Sequence, residues 1–311
     1  MRTLNITLLI LALLNTVSFA QQDPQYTQYM FNMLAINPAY AGSRDVLSMT
    51  ALYRNQWAGN FGPKTMTFSA DMPLIREKIG VGIMATSDQQ PKIDNNNIAG
   101  YLSYRMKLHK RGTLAFGASL GANFYNTRFS EVQQSTAQGG GASTDPSFQN
   151  NLSKILPVIG AGLYYSTDRF YVGFSAPSLL GSTTNNTIDS VQSAAKKYQH
   201  LFLTGGYVIN LSEELKLKPS AILKWVSGSP TQMDLNANLW FYDKFAVGIS
   251  YRSLSSLAIL LEWQINDQWR VGYAYDFPLN ETRNISYFTH ELMLRYEVGF
   301  RSKKFVTPRY F

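Results

Sequence analysis

Three histidines, His109, His200 and His290, are the only conventional metal- or proton-handling side chains besides carboxylates in this chain, which has no cysteine. No two of them stand at the i, i+4 spacing that would aim two imidazoles from one helix face at a zinc ion, and without thiolates no sulfur site can be built. His109 adjoins Lys110 and Arg111 and reads as a solvated basic turn. His200 and His290 fall near the same end of their predicted strands. A hydrolytic site would need an outward Ser–His pair with a third group orienting the ring. His290 sits suitably near a rim, but the chain holds so many serines that a chance neighbour is the simpler account. The run Gly139-Gly140-Gly141 lacks the lysine and the strand-to-helix setting of a phosphate cradle, and reads as a flexible loop. The expectation is no enzyme, no cofactor and no metal.

The charged residues are more informative. Only 15% of residues are charged, against the roughly 25% usual for soluble proteins, while aromatics reach 14% and mean hydropathy is −0.15. Beyond the first 20 residues no stretch approaches the ~18 consecutive apolar residues of a membrane helix. Apolar and polar residues instead alternate. Trp269, Val271, Tyr273, Tyr275 and Phe277 interleave with Arg270, Gly272, Ala274 and Asp276, and Phe245 to Tyr251 with Ala246 to Arg252. Met233, Leu235, Ala237 and Leu239 likewise oppose Gln232, Asp234, Asn236 and Asn238. Period two means strands with one apolar face. Arg252, Glu262, Arg270, Asp276, Glu291, Arg295 and Glu297 all fall on the other face. The simplest role for charges there is a set of ion pairs inside a water-filled or plugged barrel; a selectivity filter or substrate path is the alternative.

The elements that must position those charges are fourteen predicted strands, at 45–56, 63–72, 78–88, 95–108, 112–125, 155–166, 169–177, 199–210, 215–226, 231–241, 244–253, 256–265, 268–278 and 287–299. Their connections alternate in length. Met72–Lys78, His109–Arg111, Thr167–Asp168, Leu211–Glu214, Tyr242–Asp243 and Asn266–Asp267 are short; Asp88–Asn95, Asn126–Ser153, Ser178–Tyr198 and Pro278–Ser286 are long. Short turns at one end and long loops at the other characterise outer-membrane barrels, with the turns in the periplasm. A water-soluble sandwich predicts no such segregation. The fold class expected is all-β, a transmembrane antiparallel β-barrel over 45–300 in the outer membrane. An even strand count places both termini in the periplasm. Tyr171, Trp225, Trp240, Trp263 and Trp269 suit interfacial girdles.

The two ends of the chain differ from the barrel. Residues 1–20 read as a signal peptide: Arg2, an apolar run from Leu4 to Leu14, then Ser18 and Ala20 before a cleavage point at Gln21. In the segment 21–44, Tyr26, Tyr29, Met30, Met33 and Leu34 fall on one face of a short amphipathic helix, stopped by Asn37-Pro38 ahead of Tyr40. Its stripe must tuck into the barrel mouth or pack on a partner. The tail 301–311 carries Arg301, Lys303, Lys304 and Arg309 with no acidic residue, and so half of the net charge of +8. It would meet anionic headgroups or an acidic subunit, or else stay solvated. No nucleic-acid motif accompanies it.

The block Asp23-Pro24-Gln25-Tyr26-Thr27-Gln28-Tyr29-Met30-Phe31-Asn32 and then Asn37-Pro38-Ala39-Tyr40-Ala41-Gly42 resembles the start of the PorP/SprF family of type IX secretion membrane proteins. Arg54-Asn55-Gln56-Trp57, Tyr171-Val172-Gly173-Phe174-Ser175, Gly248-Ile249-Ser250-Tyr251-Arg252, Gly272-Tyr273-Ala274-Tyr275-Asp276 and His290-Glu291-Leu292-Met293-Leu294 extend the resemblance through the mature chain in order. It implies an outer-membrane barrel of the type IX secretion and gliding machinery. The implied partners are the translocon, its periplasmic ring, and large surface adhesins with a C-terminal sorting domain. No catalytic residue comes with it. From the charged inner face alone, a passive or selective diffusion channel is the competing expectation.

Overall fold

The computed structural model describes residues 26–58, 62–74, 78–109, 112–128, 152–180, 182–188, 191–197, 199–226, 229–253, 255–279 and 288–299. The strands are β1 (Leu47–Asn55), β2 (Lys64–Leu74), β3 (Ile79–Gln90), β4 (Ile93–His109), β5 (Gly112–Thr127), β6 (Leu152–Thr167), β7 (Phe170–Ser178), β8 (Ser182–Ile188) and β9 (Val191–Lys197). They continue as β10 (His200–Tyr207), β11 (Ile209–Asn210), β12 (Leu215–Val226), β13 (Gln232–Phe241), β14 (Phe245–Arg252), β15 (Ser256–Gln264), β16 (Trp269–Pro278) and β17 (Thr289–Val298).

Each barrel strand pairs antiparallel with its neighbours in sequence, and the ladder closes where β1 meets β17, from Leu47 opposite Val298 to Asn55 opposite His290. β10 and β11 are two parts of one barrel strand, both paired to β12 and interrupted at Val208. With β8 and β9 forming a separate two-stranded sheet, the result is a closed barrel of fourteen strands. Closure satisfies every strand edge, the condition for carrying a β-sheet through hydrocarbon. The fourteen predicted strands all correspond to observed ones.

Burial follows the alternation. In β14, Ala246, Gly248, Ser250 and Arg252 are buried while Phe245, Val247, Ile249 and Tyr251 are exposed. The exposed apolar face is the outer wall, and the buried face lines a filled lumen.

Four expectations change. Asp88–Asn95 is not a loop: β3 and β4 run on to leave only Pro91 and Lys92 between them, because their registers stay paired through Gln90 and Ile93. Ser178–Tyr198 holds the β8–β9 hairpin rather than an irregular loop. Tyr171 and Trp240 are buried on the lumen face and belong to no outer girdle, whereas Trp263 and Trp269 are exposed. Finally, the periplasmic amphipathic helix does not form. Residues 26–46 lie inside the barrel, as three single 3-10 turns at Tyr29–Phe31, Met33–Ala35 and Pro38–Tyr40. An amphipathic helix needs one wet side; in the lumen every side meets wall, and Asn32 leaves helical geometry to accept from Ser69 Oγ at 3.0 Å. The signal peptide, the basic tail, and most of the 126–153 and 278–286 loops lie outside the described residues.

Candidate functional site: the occupied lumen

The segment 26–46 sits against the wall along its whole length. Tyr29, Phe31, Met33, Leu34 and Tyr40 are almost fully buried and pack against Ala115, Tyr164, Tyr171, Ile222, Leu260 and Met293. Burying side chains of this size contributes about 1.5–3 kcal/mol each. The wall makes room where the segment comes closest. At Gly117 a Cβ would stand 2.1 Å from the Ala39 nitrogen, so only a glycine fits.

Polar groups on the segment are matched to the wall one by one. Asn37 Oδ1 accepts from the Ala39 N–H at 2.9 Å, capping the turn that starts at Pro38, and its Nδ2 donates to the Leu163 carbonyl at 2.8 Å. Ser175 donates to the Ile36 carbonyl at 2.8 Å and Ser103 to the Ala41 carbonyl at 2.7 Å. Asn236 Nδ2 donates to the Tyr29 hydroxyl at 2.9 Å. Side-chain donors on strands thereby satisfy the carbonyls that these short turns leave open.

Charges hold both ends. Toward the long-loop end, Arg54 forms pairs of 2.8 Å with both Asp276 and Glu291. Thr27 joins them: its hydroxyl donates to Asp276 Oδ2 at 2.7 Å, and its backbone N–H donates to Glu291 Oε2 at 2.9 Å. The Gln28 N–H donates to Glu291 Oε1 at 2.8 Å. Toward the short-turn end, Arg44 pairs with Glu297, Asp45 with Arg105 at 2.7 Å, and the Gly42 N–H donates to Asp71 at 2.8 Å. Gly42 itself takes φ of +73°, the left-handed turn that leads the chain out of the lumen into β1.

All seven charged residues read as lumenal lie inside. Asp276 and Glu291 share Arg54; Glu297 meets Arg44; Arg252 Nε donates to Asp234 at 2.9 Å; and Arg270 lies 3.9 Å from Glu262 and stacks over Trp240. Arg295 Nε donates to Thr50 at 3.3 Å. Six of these charges make hydrogen bonds or ring contacts with the wall and the lumenal segment, while both oxygens of Glu262 are buried without a hydrogen bond among the described residues and face Arg270. Sequence reading missed Arg44, Arg54, Arg105 and Lys218, all almost fully buried. Arg54 was legible, since Ser48, Thr50 and Leu52 share its phase on β1; Lys218 was hidden among the mixed residues of β12.

The residues expected to bind partners divide. Tyr29, Met30, Met33, Leu34, Asn37, Pro38 and Tyr40 are buried against the wall, so no second protein can reach them; Tyr26 is half-buried, with its hydroxyl 2.7 Å from Thr67. Arg301, Lys303, Lys304 and Arg309 lie outside the described residues. His290 faces outward with Nδ1 2.8 Å from the Tyr273 hydroxyl, amid Tyr275 and Phe288, and His200 is buried beside Phe202. Among the described residues no group of three His, Cys, Asp or Glu is placed to hold a metal.

Above Tyr26 two small cavities of about 120 and 100 Å³ open toward the long-loop end. Asp88, Asn95, Asn97 and Asn123 line the first; Lys224, Asp234 and Arg252 line the second.

Residues 18–296 match the family model described as type IX secretion system membrane protein PorP/SprF. No curated protein matches the chain. Among solved structures, a Pseudomonas aeruginosa FadL homologue shares 13% identity at a TM-score of 0.49, over 88% of this chain and 95% of that one. The CymD monoaromatic hydrocarbon channel gives 10% and 0.48, over 88% and 93%; the KdgM porin gives 11% and 0.38, over 81% and 99%. The fold of this chain rests on its own closed ladder rather than on these distant likenesses.

Proposed function

The chain belongs to the PorP/SprF family of type IX secretion system membrane proteins, and from that premise we propose that it serves as an adaptor across the outer membrane rather than as a conduit. On this reading its long loops engage exported surface proteins carrying a C-terminal sorting domain, adhesins among them. Its short-turn face and basic tail engage the periplasmic ring, motor and translocon. The outer wall takes up outer-membrane lipid.

The observation that carries the reading is the occupied lumen. A segment of the chain itself fills it, and Arg54, Asp276, Glu291, Arg44 and Glu297 are engaged with one another and with that segment. A diffusion pathway needs solvated charges along an open route. The charged inner face favours the channel reading only where such a route exists.

Deleting the gene tests the proposal. Sorting-domain proteins or adhesins are expected to accumulate inside the cell, and complementation restores them to the surface. Normal surface display in the deletion strain would overturn it. Crosslinking of the tagged barrel in intact cells, read by mass spectrometry, is expected to recover ring or translocon subunits. For the channel, stable conductance of the purified protein in a planar bilayer is the supporting result.

A further inference from the structure

We infer that the chain enters its own lumen from the long-loop end, so the mature N-terminus stands on the opposite side of the membrane from the C-terminus. β17 provides the ruler. Its first residues adjoin the long connection 279–288, and its last residue, Val298, leads to the C-terminal tail. Thr27 and Gln28 are bound by Glu291, near the first end; Arg44 is bound by Glu297, near the last. The path between is not a straight descent: Ala35 and Ile36 still line the cavities near the long-loop end, and the contacts reach the other end only from Asn37 onward. The Tyr26 carbonyl accepts from Arg252 at 3.2 Å, on the last residue of β14 before its long-loop-side connection to β15. At the far end Gly42 approaches Gly80, the second residue of β3, just past a short turn.

The segment therefore starts at one end and finishes at the other before turning into β1. The chain ahead of Tyr26 has no way back beside it, because the lumen below is packed with the buried aromatic and aliphatic side chains of the segment. The cavities that touch Tyr26 are lined near the long-loop end, by Asp88, Asn95, Gln232 and Arg252. Cleavage after Ala20 leaves Gln21 to Gln25 ahead of Tyr26, a reach of at most about 17 Å. An even number of strands fixes the side of β1 and β17 but not that of a chain that has already crossed the lumen. The Tyr26 end of the segment then shares one surface with the long-loop-side ends of the strands. Naming that surface extracellular rests on the sidedness adopted under Proposed function.

The absence of cysteine allows a direct test on the full chain. A twelve-residue Gly/Ser linker carrying one cysteine is inserted after Gln22, long enough to clear the rim at about 20 Å r.m.s.. Ser193→Cys on the β8–β9 hairpin and Asp267→Cys in the β15–β16 turn mark the two faces. With a membrane-impermeant maleimide on intact cells, the N-terminal thiol is expected to label together with Ser193→Cys, and Asp267→Cys only after the outer membrane is permeabilised. An N-terminal thiol that labels only together with Asp267→Cys, or on neither side, overturns the inference. If Asp267→Cys labels in intact cells and the other two do not, the threading stands and the adopted sidedness fails.

Discussion

Glu291 and Glu297 stand six residues apart on one strand and grip opposite ends of the same lumenal segment, Glu291 through the backbone of Thr27 and Gln28, Glu297 through Arg44. Six residues of strand measure about 20 Å. The plug is therefore tied at both ends to the strand that closes the barrel, and plug and seam stabilise each other.

Replacing Glu291 should test that tie. Glu291→Leu leaves Arg54 with Asp276 as its one carboxylate partner beside the Thr27 hydroxyl, and strips the acceptors from two buried N–H groups. Removing one partner of a buried pair costs about 3–5 kcal/mol. The temperature at which the barrel loses its compact mobility on a detergent gel should fall clearly below that of the parent; an unchanged temperature would show that the network contributes little.

Gly117→Val should push the plug aside and leave the ladder paired. Its Cβ would stand 2.1 Å from the Ala39 nitrogen and 2.3 Å from the Ala39 Cα, and overpacking of this kind costs about 1–3 kcal/mol. The backbone of β5 is unaltered, so the barrel closes. In planar bilayers the parent should be closed and the variant should show conductance steps. Identical traces from both would mean that the segment does not gate the lumen.

Asn37→Ala removes two bonds at once. Loss of the cap on the Pro38 turn costs about 0.5–2 kcal/mol, and the Leu163 carbonyl is left without its donor. Asn37→Asp keeps the acceptor for Ala39 but not the donor to Leu163. The expected stability order is parent, then Ala, then Asp, because the buried carboxylate would face the Leu163 carbonyl oxygen; it is read by chemical unfolding in lipid vesicles, and an Ala variant as stable as the parent would refute the cap.

On the outer wall, depth sets the cost. Ile249 pairs with Ile259 in the middle of β14, whereas Phe245 stacks on Trp263 at its start. An arginine at the midplane of a membrane barrel costs about 2–4 kcal/mol and near an interface about 0–1. Ile249→Arg should therefore destabilise insertion by about 2–4 kcal/mol and Phe245→Arg by far less, measured by reversible folding into bilayers. Equal effects would place the membrane belt elsewhere.

The barrel was legible because period-two alternation is local. Whether Ile249 points outward and Ser250 inward depends only on the strand, and the connection lengths between Asn266–Asp267 and Pro278–Ser286 already separated the two ends. The lumenal charges followed from the same parity. Entry of the N-terminal stripe into the barrel mouth was one of two legible alternatives; its course through the whole lumen as single turns was not legible. Tyr26, Tyr29, Met30, Met33 and Leu34 carry helical spacing, and nothing in that spacing shows that Ser69, Ser103, Ser175 and Asn236 wait with donors on every side.

Strand parity and connection lengths were enough to specify a membrane barrel of fourteen strands with a charged, inward face, since each strand's two faces are set by neighbours one residue away. What fills that face, and from which end, depends on contacts that form only in the closed barrel. The carboxylates that bind Thr27 and Gln28 lie more than 240 residues away, and they come within reach only when β17 closes on β1. The N-terminal block expected as a short helix, tucked into the barrel mouth or packed on a partner, is instead a run of single turns that forms the barrel's own core.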